Sequence, residues 1–273
     1  MAHKFLVSTL ATAVALSISA TAMAKDMGKV ERNFEQITVI GSQQAINDIP
    51  GSATFISDAE LQKFEFTDIS RVLASVPGVY VQEEDGYGLR PNIGMRGTGT
   101  GRNDKISVME DGVLVAPAPY SAPSAYYFPT MGRMESIEVL KGAASVKYGP
   151  RTTGGVLNLL SRSLPTEPNS STGMLDAALG SDGYYKGHAY FAKEKNNTAG
   201  LIEVFTYGAD GFKDLPVGDD NTGFEKTDLL LKLGHTFGKN DAHNLELKIK
   251  YSDETSDETY MGLTDADYQA TPY

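Results

Sequence analysis

The residue types that usually carry chemistry are sparse in this sequence. Its 273 residues include no cysteine, which excludes thiolate catalysis, disulfides and cysteine–zinc sites. The histidines of the expected mature chain, His188, His235 and His243, are scattered and suggest no ligand pair, and no serine–histidine–aspartate arrangement can be argued. The stretch GTGTGR lacks the third glycine of a dinucleotide fingerprint, and the acidic SDETSDETY lacks EF-hand spacing. The sequence therefore predicts no catalytic residue, no protein metal site and no enzyme.

Backbone groups offer a different chemistry in the heptad EQITVIG, from Glu35 to Gly41. The heptad is rich in β-branched residues, and a turn-rich stretch, SQQAINDIPGS, follows it. Such a strand could pair within its own domain. Alternatively, it could be an edge strand kept for a partner that binds by strand addition, in which main-chain hydrogen bonds give the affinity. The residues concerned are Glu35, Gln36, Ile37, Thr38, Val39, Ile40 and Gly41.

Charge and composition narrow the class of protein. The net charge of −11 argues against a nucleic-acid partner, because phosphate binding requires clustered lysine and arginine. Residues 1–24 have a basic start, an apolar run and a closing Ala22-Met23-Ala24, which is the pattern of a secretory signal peptide. A membrane anchor is the alternative, but the apolar run is shorter than the roughly 20 residues that a spanning helix needs. An exported, acidic, cysteine-free chain fits the periplasm or a bacterial outer membrane.

We expect signal peptidase to cleave after Ala24, because small residues occupy positions 22 and 24. Amino-terminal sequencing of the protein from the cell envelope should then begin at Lys25. An unprocessed cytoplasmic product would contradict this prediction.

The elements between residues 42 and 165 predict a compact α+β domain. SATFI is a strand, and Ser57 with Glu60 forms a capping box that opens a short helix. Thr67 or Asp68 caps a second helix in DISRVLASV, and VYVQ follows as a strand. ISVMEDGVLV reads as a hairpin around an Asp-Gly turn, and MGRMESIEVLKG and GGVLNLLSR supply two more strands.

Residues 166–273 predict antiparallel strands of about ten residues each. Apolar and polar residues alternate in several of them, most clearly in LELKIKY. This alternation is typical of a transmembrane β-barrel, but a soluble antiparallel sheet gives the same pattern. Short and long connections follow one another, with one exception, as outer-membrane barrels require. The five candidate strands cover residues 172–180, 184–193, 200–208, 226–237 and 243–252.

Five blocks of the sequence, in order and spacing, resemble the plug domain of TonB-dependent outer-membrane receptors. They are the EQITVIG heptad, VLASVPGVYVQ, IGMRGTG, ISVMEDGVLV and MGRMESIEVLKGAASVKYGPRTTGGVLNLLSR. The resemblance implies an α+β plug domain followed by antiparallel strands of an incomplete transmembrane β-barrel. It divides the chain into a signal peptide (1–24), a periplasmic extension with the TonB box (25–41), the plug (42–165) and about five first barrel strands (166–273). Because a lumen that holds a plug needs about 22 strands, we expect further strands to complete the barrel.

The resemblance also implies roles for individual residues. The heptad Glu35 to Gly41 would be the TonB box, which pairs with an energy-transducing periplasmic protein. Arg96, in MRG, would help to latch the plug to barrel carboxylates, and Lys141 stands where the family usually has a second arginine. Residues expected to face the ligand at the plug apex are Arg90, Arg102, Tyr120, Ser121, Ser124, Tyr126 and Tyr127.

The function implied is TonB-dependent uptake of a ferric siderophore at the cell outer membrane. APAPYSAPSAYYFP and the final DETYMGLTDADYQATPY are similar to ferric citrate receptors and related siderophore receptors. The expected partners are a TonB-type transducer, the ferric siderophore and outer-membrane lipid, with no cofactor because the iron would arrive as a chelate. Two alternatives stay open: a plug-like module that binds the transducer without transport, and a receptor for haem or cobalamin.

Overall fold

The computed structural model describes residues 34, 36–115, 127–213, 222–239, 243–257 and 264–271. The expected signal peptide, Glu35, Tyr120, Ser121, Ser124 and Tyr126 lie outside these residues. Everything described belongs to one of the two units into which the chain divides, the second unit, Glu31–Tyr273. Within the described ranges, no helix has both the length and the apolar composition that crossing a membrane requires.

The first part of the second unit is built on a five-stranded sheet, which we call the mixed sheet. Its strand order is β1-β6-β7-β4-β5, with β4 and β7 parallel and the other neighbours antiparallel. Strands β2 and β3 form a separate antiparallel ribbon. The elements are β1 (Ser52–Ile56), α1 (Asp58–Gln62), α2 (Ile69–Leu73), β2 (Val79–Gln82), β3 (Asn92–Met95), β4 (Ile106–Glu110), β5 (Val113–Leu114), β6 (Met134–Lys141) and β7 (Gly155–Ser161), with short 3-10 turns at Gln44–Asp48, Gly101–Asn103, Met131–Arg133 and Ala143–Tyr148.

Local sequence signals explain most of these elements. The capping box of Ser57 and Glu60 is present at α1, and the Asp68 carboxylate accepts the Ser70 N–H at α2. Asp111 and Gly112 have φ of 51° and 75°, as a two-residue hairpin turn between β4 and β5 requires. These predictions are confirmed, and β3 is a strand that the sequence analysis did not predict. Apolar residues of α2, β4, β6 and β7 form the buried core against one face of the mixed sheet.

The second part is an antiparallel sheet of five consecutive strands, which we call the meander. Its order is β12-β11-β10-β9-β8, so each strand pairs with the next along the chain. The five predicted strands are confirmed, each within a few residues of its predicted ends. They are β8 (Ser171–Leu179), β9 (Tyr185–Lys195), β10 (Thr198–Ala209), β11 (Phe224–Phe237) and β12 (His243–Ser256), and a short helix, α3 (Asp265–Ala270), follows them.

The two faces of the meander are reversed relative to a soluble sheet. Large apolar side chains point away from the mixed sheet, and Leu233, Leu245, Leu247 and Ile249 are each 45% exposed or more. Charged side chains on the other face are buried, among them Lys226, Asp228, Lys232, Glu194 and Glu203. A soluble sheet would bury its apolar face, whereas a transmembrane barrel presents that face to lipid. The meander is therefore the beginning of a barrel wall, with the mixed sheet on its inner side.

Candidate functional site

The predicted TonB-box segment is docked on the mixed sheet. The main-chain N–H groups of Val39, Ile40 and Gly41 donate to the carboxylate of Glu138 at 2.6, 2.9 and 2.7 Å. The Tyr148 hydroxyl donates to the Val39 carbonyl oxygen at 3.0 Å. The segment is thus held mainly through its backbone.

The two side chains that hold the segment come from the centre of the mixed sheet. Glu138 on β6 and Asn158 on β7 are cross-strand partners, and both are fully buried. The Asn158 Nδ2 donates to Glu138 Oε2 at 2.8 Å and to the Ile37 carbonyl oxygen at 3.3 Å. A buried carboxylate needs such donors, because without them its desolvation is costly.

Apolar contacts complete the docking. Val39 and Ile40 are each 8% exposed and pack in a cluster with Met109, Leu140 and Val156. Ile37, in contrast, is 62% exposed. Docking therefore buries two of the segment's apolar side chains and leaves a third accessible.

The strand expected over Glu35 to Gly41 is not present from Gln36 to Gly41, where the described backbone is irregular. Three consecutive N–H groups converge on one carboxylate, whereas successive residues of an extended strand point in opposite directions. The convergence on Glu138 therefore excludes a strand in this docked state.

A buried arginine joins the mixed sheet to the meander. Arg133, which precedes β6, is 0% exposed. Its Nη2 lies 2.8 Å from Glu110 Oε1 at the end of β4, and its Nε lies 2.8 Å from Asp228 Oδ2 on β11. One guanidinium thus bridges two carboxylates on two different sheets, a geometry that lysine cannot reproduce.

Lysines of β12 enlarge this ion network around the β4–β5 turn. Lys250 Nζ lies 2.8 Å from Glu110 Oε2, and Lys248 Nζ lies 2.8 Å from Glu110 Oε1 and 2.5 Å from Asp111 Oδ2. Burial alone would raise the pKa of Glu110, but Arg133, Lys250 and Lys248 together hold that pKa well below the usual carboxyl range. Burial by itself lowers the pKa of Arg133, but the adjacent Glu110 and Asp228 carboxylates outweigh this effect and raise the pKa above its usual value. Glu110 and Arg133 are therefore both charged at neutral pH.

A comparison with protein families decides what this architecture is. The family model of the TonB-dependent receptor plug domain matches residues 45–156, which cover β1 to the start of β7. The chain therefore carries a TonB-dependent receptor plug. The mixed sheet and its helices are this plug, the meander is the adjoining barrel wall, and the protein belongs in the outer membrane.

Curated relatives agree with this assignment. The vitamin B12 transporter BtuB of Photobacterium profundum is 27% identical over 252 residues, which cover 90% of this chain and 40% of the relative. An iron-regulated outer membrane virulence protein of Vibrio cholerae is 30% identical over 161 residues, covering 56% of this chain and 24% of the relative. The chain thus spans less than half the length of these relatives.

Solved structures share the fold at low identity. The ferric yersiniabactin uptake receptor FyuA of Yersinia pestis has a TM-score of 0.59 and 19% identity, covering 75% of this chain and 31% of its own. The siderophore receptor PirA of Acinetobacter baumannii has a TM-score of 0.56 and 19% identity, covering 76% and 32%. Identities this low establish the plug and wall architecture alone.

The predicted latch residues do not bridge the plug to the described wall. Arg96 is exposed, and no carboxylate of the described residues lies within ion-pair distance of it. Lys141 is buried and donates to the Pro77 carbonyl oxygen at 2.6 Å, so its observed contact is within the plug, and its latch role stays a prediction. Burial and the nearby Arg96 lower the pKa of Lys141. Between the described strands and the plug, Arg133 and Arg90 form such ion pairs, with Asp228 and Glu254.

The predicted apex residues are separated in the structure. Arg90 pairs with Glu254 on β12 at 2.5 Å, so this guanidinium binds the wall and its predicted role in attracting a ligand is not supported. Arg102 pairs with Glu84 of the plug at 2.7 Å. Tyr127 lies under the ammonium groups of Lys226 and Lys250, at 5.5 and 4.5 Å from its ring centroid. Burial raises the pKa of the Tyr127 hydroxyl, and the Glu110 charge raises it further.

The sequence analysis did not predict three residues that make the contacts of the site. They are Arg133, which joins plug and wall, and Glu138 and Asn158, which hold the docked segment. For two of these residues the sequence contains a recognisable pattern. Glu138 in IEVL and Asn158 in VLNLL are single polar residues inside strands that otherwise read as buried. Buried polar groups need partners, so each could have been marked as a binding group.

Proposed function

We propose that this chain is the amino-terminal part of a receptor that imports a ferric siderophore, driven by a TonB-type transducer that pairs with residues 35–41. The observation that carries the proposal is the docked segment, which is held mostly through main-chain atoms. Strand addition uses the same main-chain atoms. The segment can therefore leave the plug and bind a partner with the same main-chain groups, whatever its side chains are.

The docked contacts compete directly with strand addition. The N–H groups of Val39, Ile40 and Gly41 and the carbonyl oxygens of Ile37 and Val39 are all engaged by plug side chains. A partner strand would need groups from this set. The transducer would therefore bind only after the segment has left Glu138, and a pull on the bound segment would reach the plug at β6 and β7.

The ligand class has two candidates. A ferric siderophore is supported by the fold shared with siderophore receptors, and the iron would arrive already chelated, without a cofactor in the protein. Cobalamin is the second candidate, because the alignment with the vitamin B12 transporter extends over 90% of this chain. Arg90 and Arg102 already form ion pairs with carboxylates. We therefore expect groups other than these two arginines to bind the ligand.

Uptake by cells that lack their own receptors separates these candidates. Expression of the complete receptor that contains this chain should restore accumulation of iron from ferric citrate or another ferric siderophore, and it should do so only in cells that contain the transducer. If accumulation of cyanocobalamin is restored instead, the imported ligand is a corrinoid and the siderophore proposal is wrong. Ligand binding without any accumulation would favour the plug-like binding module.

Val39→Pro should abolish uptake and leave ligand binding at the cell surface unchanged. Proline removes the N–H that a strand ladder needs at this position, while the ligand site lies on the opposite side of the membrane. Uptake of a labelled ferric siderophore and binding to energy-depleted cells are the two measurements. Val39→Ala is the matched control, because it changes the same position and keeps its main-chain donor. Equal loss of uptake and binding in Val39→Pro would indicate a folding defect and contradict the proposal.

A further inference from the structure

We propose that Asn158 is a positioning residue that couples the plug–wall ion network to the docked segment, so that β12 controls the release of residues 36–41. The coupling is a property of the plug and does not depend on which partner takes the released segment. Its basis is a continuous series of contacts from Lys248 to Ile37.

The first step of this series fixes the β4–β5 turn to the wall. Asp111 accepts hydrogen bonds from Lys248 of β12, and its carboxylate also accepts the Ser161 N–H at 2.8 Å and the Ser161 hydroxyl at 2.6 Å. Lys232 of β11 lies 3.7 Å from the same carboxylate. The turn is therefore held between β7 and two lysines of the wall.

The second step passes from the turn to Asn158. The Gly112 N–H donates to Asn158 Oδ1 at 2.9 Å. This bond fixes the amide with its oxygen toward the turn, which directs Nδ2 toward Ile37 and Glu138. Every hydrogen-bonding group of the Asn158 side chain is thus used, and its orientation follows the position of the turn.

The third step passes from Asn158 to the segment. The amide donates to the Ile37 carbonyl oxygen directly, and it also donates to Glu138, whose carboxylate receives the next three N–H groups of the segment. The turn also lies directly beside the segment, because a Cβ added at Gly112 would clash with the Ile37 side chain. A shift of the turn would therefore disturb the acceptor and the donor that hold residues 37–41.

Thiol labelling in isolated outer membranes tests the coupling, because a cysteine introduced into this cysteine-free chain is its only thiol. Val39→Cys reports release, since position 39 is 8% exposed when docked. In that background, Asn158→Ala should raise the maleimide labelling rate at least about tenfold, because it removes the donor to the Ile37 carbonyl oxygen and to Glu138 and leaves the Gly112 N–H without its acceptor. Lys248→Gln should raise the rate less, by about threefold, because it removes one charged contact of several.

Three controls make the result specific. Lys193→Gln, an exposed lysine of β9, should leave the rate unchanged. Ile37→Cys should react equally fast with and without Asn158→Ala, because Ile37 is 62% exposed in the docked state. Val108→Cys, in the plug core, should stay unreactive in every variant.

Two results would overturn the proposal. An unchanged labelling rate at position 39 in Asn158→Ala would show that Asn158 does not hold the docked segment. An effect of Asn158→Ala without any effect of Lys248→Gln would show that β12 does not influence the release of the segment. A parallel increase at position 108 would mean that the whole plug opens, which also overturns a local release. Failure of uptake or of transducer binding leaves these rates unaffected, so the two proposals fail separately.

Discussion

Arg133→Met is expected to lower the free energy of unfolding by about 3–5 kcal/mol, since breaking a buried ion pair on one side leaves uncompensated buried charge. Arg133 is 0% exposed, and its guanidinium nitrogens lie 2.8 Å from a carboxylate oxygen of Glu110 and 2.8 Å from one of Asp228. Methionine keeps much of the apolar stem but removes all donors. Because the pKa of Glu110 is lowered in the folded protein, its stabilising contribution is complete at neutral pH. That contribution begins to fall when the pH drops below the ordinary carboxyl pKa of the unfolded chain, and it is lost as the pH falls on through the lowered pKa of the folded protein.

Urea unfolding of the detergent-solubilised protein, followed by far-UV circular dichroism, measures this loss. Arg102→Met is the matched control, because the Arg102–Glu84 pair is about one third exposed and such pairs contribute about 0–1 kcal/mol. Arg133→Met combined with Asp228→Asn should be less destabilised than the sum of the two single variants, because the pair then loses both charges. Equal, small effects of Arg133→Met and Arg102→Met would show that Arg133 does not join plug and wall.

Leu231→Arg is expected to reduce assembly in the outer membrane strongly, at a cost of about 2–4 kcal/mol for a charge at the bilayer midplane. Leu231 lies on the outward face of β11, and its cross-strand neighbour Ile249 is 52% exposed on the same face. If this face contacts lipid, an arginine there has no water and no partner. The measurement is the amount of folded, heat-modifiable protein in outer-membrane preparations.

Depth provides the control for this prediction. Leu245→Arg, on the same face two residues after the start of β12, should cost only about 0–1 kcal/mol, because arginine near the interface reaches water. Equal tolerance of arginine at positions 231 and 245 would contradict a lipid-facing meander.

The elements of the fold could be predicted because their signals are local. The alternation of Leu245, Leu247 and Ile249 with charged residues identified β12, and Asp111-Gly112 identified a hairpin turn. The same alternation could not decide between lipid and a soluble core, because period-two patterns are identical in both. That decision needed the position of the charged face, which lies against the plug.

The contacts of the site could not be predicted because their partners are far apart along the chain. Nothing near Arg133 indicates Asp228 as its partner, since the two meet only when β11 closes over the plug. Family position suggested Arg96 and Lys141 as latches, but Lys141 is turned into the plug toward Pro77. The composition of the heptad favours a strand, yet Glu138 and Asn158 bind its backbone in a bent form that propensity alone does not show.

The plug side chains that hold residues 37–41 bind main-chain atoms, and this affects how the sequences of such receptors can diverge. Glu138, Asn158 and Tyr148 bind the segment through its main-chain N–H and carbonyl groups, so docking requires only apolar residues of moderate size at positions 39 and 40 and excludes proline at positions 39 to 41. Heptads of quite different sequence should therefore be interchangeable on this plug. A cell with several transducers could reassign the receptor from one to another by drift in a few exposed side chains such as Ile37, without rebuilding the plug.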